Sequence, residues 1–296
     1  MNVQAGMGLP WQGGPLGTLA QKRLPGHGIA APLDLVTAWP AAFFGLDKVD
    51  AYAQAAEDVQ RQVRADCARG TLMEAYFIEK AGISYAAKMV LLSQTAEERT
   101  LYALFCAEEA AHLDAIRAAL GPVDEASWQA NPFLTLLQSI IEQGGRETGQ
   151  LVIQVVLEGW GIQHYTALRD ACAAPALRRT LSQIVADEAG HHGSGVALLK
   201  GTQMPDPAEA ADLLAQMLQM VQLGPAQVVG ALERALGGFT PQQRRSAYLQ
   251  LDTRQHIRSR LDRLHGCMAK VPAARPILNN LHERGGFDVP LVKAVA

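Results

Sequence analysis

Glu79 and, 30 residues later, Glu109-x-x-His112 are matched in this chain by Glu158 and, 30 residues later, Glu188-x-x-His191. Carboxylates and imidazoles are ligands that proteins offer to divalent metals, and four of one with two of the other can close a two-metal cage inside a helical bundle. A Glu and a His three positions apart project from the same helix face, so each Glu-x-x-His unit offers one metal an oxygen and a nitrogen together. A single such unit is weak evidence, since ordinary composition yields about 0.4 of them in a chain of this length. Two units, each with an upstream Glu at the same offset, are much rarer.

The spacing dictates the elements that must carry these groups. Thirty residues hold roughly two four-turn helical segments and a short turn, so each upstream Glu belongs to an antiparallel neighbour of its Glu-x-x-His helix. The turns fall at Ser93-Gln94-Thr95-Ala96 and at Cys172-Ala173-Ala174-Pro175, each midway between its two acids. Glu74 competes with Glu79 but lies more than a turn from the matching height, and Glu79 is preferred. Each acid also sits on an apolar seam. Leu72, Tyr76 and Ile83 flank Glu79; Tyr102, Phe105 and Ile116 flank Glu109 and His112; Leu151, Val155, Ile162 and Tyr165 flank Glu158; Leu181, Ile184 and Gly195 flank Glu188 and His191. Carboxylates converging in a core repel and protonate unless cations compensate them, and two divalent metals remove that difficulty.

The acids immediately before the two motifs, Glu108 and Asp187, extend the pattern. An acid there reaches the outer ring nitrogen of the opposite helix's histidine and fixes its tautomer, so Glu108 is assigned to His191 and Asp187 to His112. His192 is not assigned as a ligand, because it is rotated about 100° from His191 around the helix.

With these residues in place the chain resembles the ferritin-like di-iron carboxylate proteins: four-helix bundles with one Glu from each of two helices and Glu-x-x-His from each of the other two. Glu79, Glu109, His112, Glu158, Glu188 and His191 match that pattern one for one, over roughly residues 70 to 200. Asp187-Glu188-x-x-His191-His192 makes the chain look most like the oxygen-activating oxygenase and oxidase branch. The resemblance implies two iron ions as cofactor and O2 as co-substrate, with manganese or a mixed Mn/Fe pair open to the same ligands. Departures narrow the choice. Ile116 stands where ribonucleotide reductase small subunits carry the radical Tyr. Gly161 and Ile162 stand where several hydroxylases and desaturases carry a Thr, so proton delivery needs another group or a water. Cys67, Cys106, Cys172 and Cys267 form no Cys-x-x-Cys pair of the rubrerythrin kind.

Gly82 and Gly161 each follow a lone Glu by three positions, in Glu-Lys-Ala-Gly-Ile and Glu-Gly-Trp-Gly-Ile. Glycine inside a helix costs about 0.5–1 kcal/mol relative to Ala. Close helix packing explains it, as does room for O2 or substrate, and Gly82, Gly161 and Ile162 are the expected pocket residues. Superposing Glu79 on Glu158 also matches Gly70 with Gly149 and Ile83 with Ile162, a faint duplication of about eighty residues.

The remainder is organised around this centre. At 296 residues and 49% hydrophobic content the chain buries a substantial core. Residues 1–46 read as a Gly/Pro-rich arm, with His27 in a solvated loop, followed by a covering segment around Trp39. Residues 47–200 read as the di-metal bundle, with a polar helix ending near Gly70 ahead of the first ligand helix. Residues 201–296 read as a helical extension packed on it, including one helix from Thr240-Pro241 to about Lys270. Arg244, Arg245, Arg254, Arg258, Arg260 and Arg263 make that helix basic: a solvated or internally paired face, or a surface for an acidic partner or anionic substrate. The fold class expected is all-α, a ferritin-like four-helix bundle with additional N- and C-terminal helices.

The net charge of −3 gives no general drive toward nucleic acid or anionic membrane. Dispersed cysteines, no long apolar run and no basic-then-apolar leader fit a cytoplasmic protein without a membrane span. The resulting reading is an O2-dependent non-haem di-iron oxygenase or oxidase acting on a small organic substrate. Glu109 and Glu188 bridge, His112 and His191 each end on one metal, and Glu79 and Glu158 add oxygens. No flavin or nicotinamide fingerprint is present, so an external electron-donor protein is expected, and a homodimer is compatible with the sequence. Two alternatives stand beside it: a ferritin-like iron oxidation and storage protein, and a tRNA-modifying di-iron hydroxylase.

Overall fold

The computed structural model describes residues 14–125, 131–202, 204 and 206–291. Among them there are helices and connecting turns and no strand. The first thirteen residues of the expected N-terminal arm lie outside the described residues.

Two long antiparallel hairpins form the bundle. The first joins α3 (Glu57–Leu92) to α4 (Ala96–Leu120), and the second joins α7 (Glu158–Ala171) to α8 (Pro175–Leu198), with α4 against α8 between them. Both turns fall where the spacing requires. Thr95 caps α4, its hydroxyl accepting from Glu98 N at 3.1 Å, while Glu98 Oε2 accepts from Gln94 N at 2.9 Å. Pro175 is the first residue of α8, where a missing N–H costs nothing.

The polar helix does not end near Gly70; α3 runs unbroken through it for 36 residues. The glycine is there for packing instead, since a Cβ at residue 70 would overlap the Gln227 side chain of α10 (Ala226–Ala235). Gly149, its expected counterpart, meets a different neighbour, the Tyr85 ring, at 3.1 Å from a Cβ.

The segment leading to Glu158 consists of α5 (Pro132–Gln143), a break at Gly144-Gly145, α6 (Arg146–Gly149) and a π-helical stretch, Gln150–Leu157, that runs directly into α7. The wider π turn packs nearly every residue of this stretch inward, including Gln150 and Gln154. Gln154 satisfies its buried amide on four sides: its carbonyl accepts from Tyr102 OH (2.7 Å) and Tyr85 OH (3.1 Å), and its NH2 donates to Ser194 Oγ (2.8 Å) and His191 O (2.9 Å). The stretch just before a ligand helix is thereby tied to α3, α4 and α8 at once.

The N-terminal segment covers one end of the bundle. Trp39 is buried and its indole N–H donates to Leu168 O at 2.9 Å, with a 3-10 turn at Ala41–Phe44 following. His27 is not solvated as expected; its Nδ1 accepts from Ile29 N and its Nε2 lies 3.5 Å from Asp114. Of the helices that precede α3, α1 (Gly14–Gln21) comes first and α2 (Asp50–Ala53) leads into α3. Beyond α8, α9 (Pro207–Val221), α12 (Thr253–Ala269) and α13 (Arg275–Glu283) contribute to the same apolar core as the bundle, while α10 and α11 (Pro241–Gln250) close a smaller cluster with Leu46, Val49 and Val63.

The basic helix is not continuous. Thr240 makes the capping box that opens α11, but the chain breaks at Asp252, a non-glycine residue with φ 50°, held by Lys48 at 2.7 Å. Arg254, Arg258 and Arg263 face solvent, whereas Arg260 is half-buried against Trp160. No helix of the described residues is long and apolar enough to cross a membrane.

Candidate metal centre

The six predicted ligands converge from all four bundle helices. Their atoms form two overlapping groups, Glu79–Glu109–His112–Glu188 and Glu109–Glu158–Glu188–His191, in each of which the candidate ligand atoms lie within 4.8 Å of one another. Glu109 and Glu188 belong to both groups, the placement of bridging carboxylates. Glu79 is 0% exposed and Glu109, His112, Glu188 and His191 are buried; Glu158, with 11% of its side chain exposed, is the most open of the six. Glu74 points elsewhere, into cavities against α12.

Both imidazoles turn Nδ1 inward. His112 Nδ1 is 3.1 Å from Glu79, and His191 Nδ1 is 3.2 Å from Glu109 and 3.7 Å from Glu158. Their outer nitrogens meet the acids that precede the motifs. Asp187 Oδ2 lies 3.0 Å from His112 Nε2, and Glu108 Oε2 lies 2.9 Å from His191 Nε2, each across the bundle from its own helix. An Nε2–H donated to these carboxylates leaves each Nδ1 as a lone-pair donor aimed into the cage. His192 is turned away, its Nδ1–H donating to Val155 O at 2.9 Å.

The electrostatics of the cage follow from its burial and from its converging charges. Burial, followed by the nearby Glu79 carboxylate, pushes Glu109 up to about 8. Burial and then the Glu158 charge hold Glu188 well above the carboxylate range. Burial also opposes ionisation of Glu158, but hydrogen bonds from Glu188 and His191 keep it below its usual value. Burial works against charge on the imidazoles, yet hydrogen bonds to Asp187 and Glu79 carry His112 up to about 10, and those to Glu109 and Glu158 carry His191 up to about 11. Buried acids converging in this way favour the uptake of positive charge, as protons or as cations. The donor set fits divalent metal ions: carboxylate oxygens and inward Nδ1 atoms, with the imidazoles anchored from behind.

Tyr165 is a residue that sequence reasoning placed only on the apolar seam. Its hydroxyl donates to Glu79 Oε1, and burial first, then the charges of Glu79 and Glu188, keep the phenol well above its ordinary range and so protonated. A mainly apolar cavity of about 40 Å³ opens beside the cage, bounded by Glu109, Glu158 and Glu188 on one side and by side chains such as Phe133, Leu137 and Ile153 on the other. One water needs about 10–15 Å³ by the same measure, so the space suits O2 or a few waters and not a larger organic molecule.

Gly82 and Gly161 both line this cavity. Each also lies against a shared carboxylate: a Cβ at Gly82 would meet Glu109, and one at Gly161 would stand 3.2 Å from Glu188 Oε2. Ile162 does not line it. One residue past Gly161 it is rotated off the cavity face, and the α7 wall positions are Glu158, Trp160, Gly161, His164 and Tyr165, at helical spacing. Trp160 and His164, two and six residues past Glu158, carry no signal in the sequence that marks them as wall residues.

The family model described as ferritin-like domain matches residues 47–200, more than half of the chain. No curated protein and no solved structure shows a match to it.

Proposed function

The chain belongs to the ferritin-like domain family, and from that premise we propose that it is a non-haem di-iron oxygenase or oxidase that uses O2 to oxidise a small organic substrate. The observation that carries this reading is the pairing of two ligand groups through Glu109 and Glu188 with an apolar cavity that opens on those same carboxylates. An iron-storage centre has no need of an apolar chamber beside its bridging ligands; an enzyme that oxidises carbon does.

Two irons held here would supply the electrons that reduce O2 and the oxidising power that acts on the substrate. The chain's own residues set the conditions. Asp187 and Glu108 orient His112 and His191 and raise their basicity. The apolar walls of the cavity keep bulk water from the carboxylates. Tyr165 holds a proton at its hydroxyl beside Glu79, in a chain that lacks the helix Thr of several hydroxylases. Ile116, fully buried on α4, offers no phenol for radical storage.

Electrons for repeated turnover come from a separate donor protein in this reading. The test is oxygen uptake by the iron-loaded chain with a chemical reductant and a panel of small organic substrates. Substrate-triggered uptake that requires the reductant supports the proposal. Sustained turnover on O2 and substrate alone rules out the external donor, and iron oxidation with deposition of many ferric ions per chain, iron then being the substrate, favours storage.

A further inference from the structure

Three cavities meet at one side chain. Trp160 contributes to the wall of the cavity beside the carboxylates, to a second of about 230 Å³ and to a third of about 600 Å³. Its indole stacks on the His164 ring, centroids 5.0 Å apart and planes 12° from parallel, and the Arg260 guanidinium of α12 lies 5.6 Å from its centroid. His164 is shared by the first and third cavities, and Phe133 and Leu157 by the first and second. The Trp160–His164 pair therefore divides the small inner space from two larger outer ones.

The third cavity carries an excess of positive side chains. The third is lined by Lys48, Arg260 and Arg263 against Glu74 and Asp252, and Lys48 is engaged by Asp252 at 2.7 Å. Arg260 and Arg263 enter no ion pair among the described residues. Burial raises Glu74 above its ordinary range, and the nearby Arg260 charge works against that rise. Two imidazole nitrogens there, Nε2 of His164 and Nε2 of His256, are closed off from solvent and have no hydrogen-bond partner. Burial and then the charges of Arg260 and Arg263 hold both rings down to about 4, so they remain neutral and can donate without adding charge. Unpartnered donors beside an unpaired guanidinium are complementary to an anion. The second cavity adds an apolar lining that includes Phe133, Leu134, Met217, Met220 and Leu264, with Arg260 and Glu74 both in its wall.

We propose that the outer cavities are the substrate site and that the substrate is an organic carboxylate with an apolar body, its charged group received by Arg260 and its body lying along Trp160 toward the metal-side cavity. This assignment rests on the reading of the six-residue cluster as an oxygen-activating centre. The inner cavity is too small for such a body, so the Trp160 indole is the wall that gives way when the apolar end approaches Glu109 and Glu188.

Calorimetric titration of the full chain with octanoate and with its uncharged amide, octanamide, tests the site, with iron analysis on the same samples. The expected result is saturable octanoate binding about tenfold or more tighter than octanamide, lost by a similar factor in Arg260→Met and largely kept in Arg260→Lys. Absence of saturable binding, equal affinity for acid and amide, or unchanged affinity in Arg260→Met overturns the proposal. If Arg260→Met does not fold, the acid-to-amide ratio in the unaltered chain decides. A chain that discriminates octanoate through Arg260 but takes up no iron supports the anion site and refutes the metal reading; a chain holding two irons without that discrimination does the reverse.

Discussion

Gly82 on α3 faces the carboxylate of Glu109 on α4 so closely that a Cβ at residue 82 would lie 2.6 Å from Glu109 Cδ. The glycine is thus the space into which the Glu109 carboxylate extends. Gly82→Ala adds helix propensity of about 0.5–1 kcal/mol but displaces that carboxylate. The expected outcome is a metal-free protein of unchanged or slightly higher melting temperature with iron affinity reduced about tenfold or more. Gly161→Ala, whose Cβ would stand 3.2 Å from Glu188 Oε2 and so displace that carboxylate less, loses less. Calorimetric melting and iron titration of both variants check this, and equal iron affinity in Gly82→Ala and the unaltered chain contradicts it.

Asp187 and Glu108 act through the histidines they contact, at 3.0 and 2.9 Å. Asp187→Ala and Glu108→Ala are each expected to weaken metal binding by about 10–100-fold while leaving all six ligands in place. Glu108, with 39% of its side chain exposed, is expected to give the smaller loss, because water can replace its hydrogen bond. Competition titration with a metallochromic chelator measures both.

The metal-free protein should lose stability as pH rises. Glu109 is raised to about 8 from an unfolded value near ~4.3, so its contribution is fully present below the unfolded value and lost as pH climbs through 8. His112 and His191, raised to about 10 and about 11 from ~6.5, have the same sign, their contribution draining away above ~6.5. Melting of the metal-free chain is therefore expected at lower temperature at pH 9 than at pH 6. Metal uptake runs the other way, since binding displaces those protons and tightens as pH increases. A metal-free melting temperature that increases from pH 6 to pH 9 contradicts the account.

Tyr165→Phe removes the buried donor to Glu79. The cost to the metal-free fold is expected to be about 1–3 kcal/mol, because an acceptor is left unsatisfied in the core. Iron is still bound, and substrate-dependent oxygen uptake slows if this hydroxyl supplies the proton. Melting curves and oxygen-electrode rates separate the structural from the catalytic part.

The cage was readable in the chain because everything that defines it is local or evenly spaced. Two acids 30 residues apart around a capped turn, with a His three positions past the second, specify a hairpin and its register. What escaped is governed by partners far along the chain. Gly70 reads as a helix end until Gln227 is seen against it, and residues 241–269 read as one helix although the chain turns at Asp252, where φ is 50°. The π stretch has no propensity signal of its own; Gln150 and Gln154, four apart in an otherwise apolar run, were its visible trace. Ile162 reads as a pocket residue beside Gly161, and helical rotation places Trp160 and His164 there instead.

Anaerobic ferrous titration of the unaltered chain and of Glu109→Ala, Glu188→Ala, His112→Ala and His191→Ala tests the shared-ligand centre most directly. The account predicts two irons per chain, both weakened when either Glu109 or Glu188 is removed, and one retained when a single histidine is removed. One iron or none in the unaltered chain, or loss of only a single iron on removing Glu109 or Glu188, contradicts it.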